Sequence, residues 1–150
     1  MLGSNTIKVG IPVSLSGQFQ VQGMQALAGL QTWAEDTNRA GGVKVGHSDA
    51  GRLISIVYYD DASKRAQVRQ TTERLITSDR VDLLFGPYSG VLALASVQVA
   101  EGHGKLLWNQ GGASDTIYQR GFKWVVGVLT PASRYLEEWL PLVRGADPNA

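Results

Sequence analysis

The chain has no cysteine. Thiolate metal sites and a thiol nucleophile are therefore excluded, while either redox compartment is allowed. No apolar run approaches the ~20 residues that a membrane-spanning helix needs. The opening MLGSNTIKVG leads straight into an apolar strand. It has neither the basic start nor the apolar stretch of roughly 7–15 residues of a secretory signal, which leaves the compartment open. Net charge is only +1, so there is no electrostatic reason to expect nucleic acid or an anionic membrane as partner. Phosphate cradles are missing too: no GxGxxG follows the first strand and no GxxxxGK[ST] occurs anywhere, which argues against a Rossmann nucleotide domain. There is no GxSxG elbow, and neither histidine has partners at a spacing that would complete a Ser/His/Asp set. His47 falls in a polar loop and His103 at a helix C-terminus, where a cationic ring is favourable by itself. No cofactor, metal or enzymatic activity is expected.

What is present is a chain of 150 residues, 43% of them hydrophobic, enough for one ordinary domain with a core. Its centre is Val81 to Asp115, in which one unit occurs twice: an apolar run followed by a turn rich in Gly and Ser. Val81, Leu83, Leu84 and Phe85 precede GPYSG, and Lys105 to Trp108 precede NQGGASD. The stretch between them, Val91 to Gly104, has helical apolar spacing. The same alternation holds elsewhere. Strands are predicted at 7–13, 53–59 and 122–128. Helices are predicted at 24–38, about 64–78 and 134 to about 144, with a polar connection or short hairpin over 43–52. The fold class is therefore α/β, a doubly wound and mostly parallel sheet with helices on both faces, wound right-handed.

In such sheets ligands bind outside the carboxyl ends of the strands. Three turns fall there: Ser14 to Gly23, Gly86 to Gly90 and Gln110 to Asp115. The Tyr88-Ser89-Gly90 turn opens a helix, whose unpaired N–H groups suit a carboxylate or phosphate. Ser89 either adds a hydroxyl to that site or serves as the helix N-cap. Asp60-Asp61 stands before another helix and reads as a capping pair. A phospho-acceptor would end the third strand, where Gly86-Pro87 stands instead. The four tryptophans, Trp33, Trp108, Trp124 and Trp139, are expected to bury against the core or a missing neighbour.

Five segments taken in order, IKVGIPVSLSG, GMQALAGLQTWAEDTNRAGGV, IVYYDDASKRAQVRQTTERLI, LLFGPYSG and NQGGASDTIYQRGFKWVVG, resemble the branched-chain amino-acid-binding (Leu/Ile/Val-binding) family. These are type I periplasmic solute-binding proteins of ABC importers. The resemblance implies a two-lobed protein with a hinge and an interlobe cleft, in which residues 1–150 are the N-terminal lobe and the second lobe is absent. It implies a small-molecule ligand, an amino acid or related carboxylate-bearing metabolite, an ABC permease as partner, and a periplasmic or extracytoplasmic location. Carried over by position, Tyr88, Ser89 and Gly90 form the turn that meets the ligand carboxylate. Gly111, Gly112, Ala113 and Ser114 form the loop that meets ammonium and carboxylate. Ser16 and Gly17 match the first cleft loop, and Gln22 stands where some members have a ligand-contacting Tyr. Two hydroxyls are displaced by one residue. The family's carboxylate-binding Ser falls on Gly90, with Ser89 before it, and Ala113 takes a common Thr position, with Ser114 beside it.

Two other readings share this fold class: a ligand-sensing domain of a receptor or transcription regulator, and an α/β hydrolase, which the missing elbow disfavours. Tyr135, Leu136, Trp139 and Leu140 give the last helix an apolar face with no partner in the chain, so self-association or marginal stability is expected.

Overall fold

Thr6–Val13 (β1) and Leu53–Asp60 (β2) pair in parallel along their whole length, from Thr6 opposite Leu53 to Val13 opposite Asp60. The computed structural model describes residues 6–46, 50–137 and 139–147, so the loop residue His47 lies outside the described residues. Leu83–Phe85 (β3), Leu107–Asn109 (β4) and Val125–Gly127 (β5) complete a parallel five-stranded sheet in the order β2-β1-β3-β4-β5. The order reverses between β1 and β3, where a doubly wound sheet opens its binding crevice.

Side-chain alternation sorts the core onto two faces. Val9, Ile11 and Val13 pack against Leu27, Leu30 and Ala34 of α1, Gln20–Arg39. Gly10, between them, faces Leu75 and Val81 on the other side. There, α2 (Arg65–Thr77) and α3 (Gly90–Gly102) bury Leu75, Ala93, Val97 and Ala100 against Leu84 and Leu107. Ile117 of the short helix α4, Thr116–Gln119, joins the same cluster.

Three elements differ from expectation. Helix α1 begins four residues early, because Gly23 lets its first turn lie directly on β1. A Cβ there would run into the Ser14 carbonyl. Strand β5 is shorter than predicted, because the Lys123 and Trp124 amides donate to the Glu101 carboxylate at the end of α3. The last helix does not run from 134. A 3-10 turn occupies Ala132–Arg134, and α5 spans Trp139–Ala146. Pro141 explains the restart: it has no N–H to donate and its ring would clash with the preceding turn, but it is tolerated in a first turn. The connection after α1 does close on itself, with Val43 and Arg52 paired antiparallel. None of the four tryptophans reaches the core; Trp33, Trp108, Trp124 and Trp139 are 38–61% exposed.

Candidate functional site

Because β3 and β4 are neighbours, with Phe85 opposite Trp108, the turns that follow them lie side by side. They are bonded to each other. The Ser89 N–H donates to the Gly111 carbonyl at 3.0 Å, and the Gln110 side-chain amide donates to the Gly86 carbonyl at 3.0 Å. Glycine is required at the contact, since a Cβ on Gly111 would sit 2.9 Å from the Tyr88 Cα. Asn109, fully buried, braces the second turn from beneath. Its amide donates to the Gly112 carbonyl at 2.7 Å and to the Tyr118 hydroxyl at 2.8 Å, and its oxygen accepts from the Gly112 N–H. Asn109 is a positioning residue that sequence reading missed; a polar residue ending an apolar strand was its only mark.

Between these turns lies a cavity of 670 Å³. Tyr88, Ser89 and Gly90 form one wall, and Gly111, Ala113 and Ser114 another. Phe19, from the turn after β1, closes a side. Leu129, Ala132 and Tyr135, from the segment after β5, also line it. Phe19, Thr116 and these last three were not among the expected site residues. The Phe19 and Tyr88 rings meet edge to face, centroids 5.6 Å apart. Gly112 is buried under the cavity floor, while Ser16, Gly17 and Gln22 do not line it.

Ser89 combines both of its possible roles. It is the N-cap of α3, accepting from the Leu92 N–H at a long 3.4 Å. Its own O–H has no acceptor among the described residues. Its φ of 77° lies in the left-handed region, a conformation that costs a non-glycine residue energy and is concentrated at functional sites. Gly90 has a different constraint: a Cβ there would sit 2.7 Å from the Ser114 Cβ. The hydroxyl missing from position 90 and the one present at 114 therefore compete for one space.

The comparisons agree with this fold. The periplasmic binding protein family model matches residues 6–146. The chain belongs to that family. Among curated relatives, Leu/Ile/Val-binding protein homolog 8 of Brucella abortus (strain 2308) is 26% identical over 144 residues, 95% of this chain and 34% of the relative. Homolog 7 of the same organism is 32% identical over 120 residues, 80% of this chain and 28% of the relative. The branched-chain amino acid transporter substrate binding protein LivJ from Streptococcus pneumoniae, solved with isoleucine, superimposes with a TM-score of 0.75 at 25% identity, over 91% of this chain and 39% of that one. A branched-chain amino acid ABC transporter protein from Rhodospirillum rubrum shares the fold with a TM-score of 0.78 at 19% identity, over 95% of this chain and 39% of that one. This chain spans about a third of the length of the curated relatives it matches. The sheet is a type I periplasmic-binding-protein sheet.

The acid pair does not cap a helix. Helix α2 has Lys64 as its N-cap and no side-chain cap bond. Instead the pair ties the β2 turn to the β1 turn. Asp60 accepts from the Leu15 N–H at 2.9 Å, the Ser16 hydroxyl at 2.7 Å and the Ala62 N–H at 2.8 Å. Asp61, fully buried, accepts from the Ser14 hydroxyl at 2.6 Å and the Ser63 N–H at 2.8 Å. Capping failed as an expectation because Ala62 and Ser63 take left-handed backbone, φ 50° and 56°, which turns the chain before the helix starts. Burial raises Asp61 above its ordinary pKa, against the pull of its Ser14 and Ser63 bonds and with a push from the Asp60 charge. Burial also acts to raise Asp60, but bonds from Ser16, Ala62 and Leu15 outweigh it and leave that carboxyl lowered. Ser16 and Gly17 belong to this junction. The Ser63 hydroxyl donates to the Ser16 carbonyl, and a Cβ on Gly17 would meet the Ala62 carbonyl.

A second depression, of 490 Å³, lies on the sheet face beside α1, lined by Leu30, Trp33, Leu83, Phe85 and Trp108. It holds none of the turn hydroxyls. His103, the C-cap of α3, pairs with the Glu73 carboxylate at 2.9 Å on the surface. Among the described residues no group of three or more His, Cys, Asp or Glu could hold a metal ion.

Proposed function

We propose that this chain is the N-terminal lobe of a two-lobed, non-enzymatic solute-binding protein of an ABC importer, with the permease as its partner and a periplasmic or other extracytoplasmic location. Its ligand is a small carboxylate-bearing metabolite, captured in the cavity and enclosed by hinge closure of the second lobe. Ser89, Ser114 and the amides at the start of α3 hold the carboxylate; Gly90, Gly111 and Ala113 keep the walls low enough for it to approach. Gly112 supports the floor, and Ser16, Gly17 and Gln22 act through the turn that carries Phe19. On its own, the lobe self-associates.

The observation that carries this reading is the pair of bonded turns ending adjacent strands, with a serine of positive φ whose O–H has no acceptor among the described residues. Its test is calorimetric titration of the full-length protein against amino acids and small acids. Ser89→Ala and Ser114→Ala should each weaken the best ligand by roughly 1–3 kcal/mol, the range for hydrogen bonds to a charged group. Unchanged affinity in both variants, with folding intact, would remove the cavity from consideration.

A further inference from the structure

Among the described residues, Phe19 alone brings the turn after β1 to the cavity. Its ring packs on Val68 of α2 and on Leu92 and Ala95 of α3, and meets the Tyr88 ring edge to face. Its backbone has less support. Gly17, Gln18 and Gln20 around it are exposed, and α1, which starts at the next residue, has no side-chain cap. The Phe19 N–H is taken instead by a residue 44 positions away: it donates to the Ser63 hydroxyl at 3.0 Å. That hydroxyl in turn donates to the Ser16 carbonyl at 2.8 Å. A serine hydroxyl has one proton and two lone pairs; here the proton goes to Ser16 and a lone pair to Phe19. One side chain thus grips the turn on both sides of Gly17 and Gln18.

Position 63 is unfavourable for any residue with a side chain. Ser63 has a φ of 56° and Ala62 one of 50°, a region that costs non-glycine residues energy. Glycine would take it without strain but would bring no hydroxyl. The acid pair holds the strained backbone in place: the Ala62 N–H donates to Asp60 and the Ser63 N–H to Asp61, both at 2.8 Å. Ser63 does not line the cavity. What its strained backbone achieves is to aim the hydroxyl at Phe19.

We infer that Ser63 is a positioning residue for ligand capture: its hydroxyl, gripping the turn after β1, places the Phe19 ring against Tyr88 at the cavity wall. This rests on the carboxylate-binding reading above and adds to it a residue outside the cavity that shapes the site.

The test uses the full-length protein and two readouts. The first needs no ligand. The Phe19 ring current shifts the Tyr88 ring signals, which are read by NMR on protein with carbon-13-labelled tyrosine and assigned with Tyr88→Phe. Ser63→Gly and Ser63→Ala should both move these signals towards their place in Phe19→Leu, with melting temperature checked for each. The glycine variant also relieves the strain, so it separates loss of the hydroxyl from loss of folding. Unmoved signals in both variants overturn the inference. The second readout is calorimetric titration with the standard amino acids and short straight-chain carboxylic acids, the tightest binder then serving as probe. Both Ser63 variants should bind it about three- to tenfold more weakly, as a disturbed aromatic contact implies. In a Phe19→Leu background the same substitutions should change affinity less than about twofold, because the ring through which Ser63 acts is gone. Wild-type affinity in both Ser63 variants, or losses that simply add in the double variants, overturns the inference and leaves the carboxylate-binding reading intact. Failure of every probe to bind the wild-type protein overturns both.

Discussion

Gly90 and Ser114 stand too close for both positions to carry side chains, since a Cβ at 90 would lie 2.7 Å from that of Ser114. Gly90→Ala should therefore displace the Ser114 turn and cost about 1–3 kcal/mol of stability, the usual range for overpacking. Ser114→Gly in the same chain should recover most of it. A double-mutant cycle by chemical denaturation measures this, and additive effects would mean that the two positions do not compete. Asp61 makes a second statement at this scale. Its carboxyl is buried with one oxygen lacking a partner among the described residues, and its pKa is raised. A raised pKa means that the folded state holds its proton more tightly than the unfolded chain does. The associated stability is complete below the ordinary value of 3.8 and is lost as pH rises through the folded value. Asp60, lowered, works in the opposite sense: its contribution is present above the ordinary value and disappears as pH falls through the folded one. Asp61→Asn keeps an oxygen for Ser14 and Ser63 and removes the titration. The variant should thus lack the wild-type loss above pH 3.8 and be at least as stable near neutrality. Asp61→Ala should cost roughly 1–3 kcal/mol, because the buried Ser14 hydroxyl and the half-buried Ser63 N–H lose their acceptor. Melting across pH reads both outcomes, and parallel profiles for Asn and wild type would reassign the shift.

Strands and helices with a clear period were legible as elements. IKVGIPV and LISIVYY became β1 and β2 within one residue at each end, because a parallel strand packed by helices on both faces reads as an apolar run, in β1 inside the sheet and in β2 at its edge. The placement of two glycine-serine turns at one edge was legible for the same reason, since it follows from strand adjacency. What escaped depends on contacts between distant segments. Gly23 reads as a turn residue until the Ser14 backbone is seen against it. Asp60-Asp61 reads as a cap until two left-handed residues separate it from the helix. Tyr135 reads as part of a helix face, yet it precedes α5 and lines the cavity. Gly111 is the clearest case of a residue singled out for one reason to which the structure adds another. Its lack of a side chain suggests close approach of a ligand, whereas the structure shows close approach of the Tyr88 backbone. Gly111→Ala is accordingly expected to destabilise the fold by about 1–3 kcal/mol as well as weaken ligand binding. A variant with wild-type melting and weakened binding would return the role to the ligand alone.

At the scale of the molecule, the sheet is covered unequally. On the α2–α3 side it is sealed from β1 to β4. On the other side α1 covers β2 and β1 only. Phe85, Trp108 and Val126 run in register across β3, β4 and β5 on the open face, where Phe85 stacks on Trp108 at 6.4 Å and Trp33 borders it at 6.5 Å. Helix α5 buries none of its residues, leaving Trp139, Leu140 and Leu142 55–70% exposed. The chain exposes 9168 Å², against roughly 7,500 Å² for a folded monomer of its 16.2 kDa mass. Contiguous exposed apolar side chains associate in water, so the 150-residue chain alone is expected to form concentration-dependent oligomers, as its last helix already suggested. Two candidate surfaces can be separated. Trp108→Lys places a charge in the middle of the open sheet face, and Leu142→Lys places one on α5; both positions are exposed, so neither should abolish folding. Because the apolar row is continuous and anchored on three strands, whereas α5 is a short helix without buried residues, Trp108→Lys should reduce association more. Sedimentation velocity over a range of concentrations distinguishes the cases. A larger effect of Leu142→Lys would assign the association to α5, and a wild-type chain that stays monomeric at high concentration would mean that neither surface is sticky enough to matter.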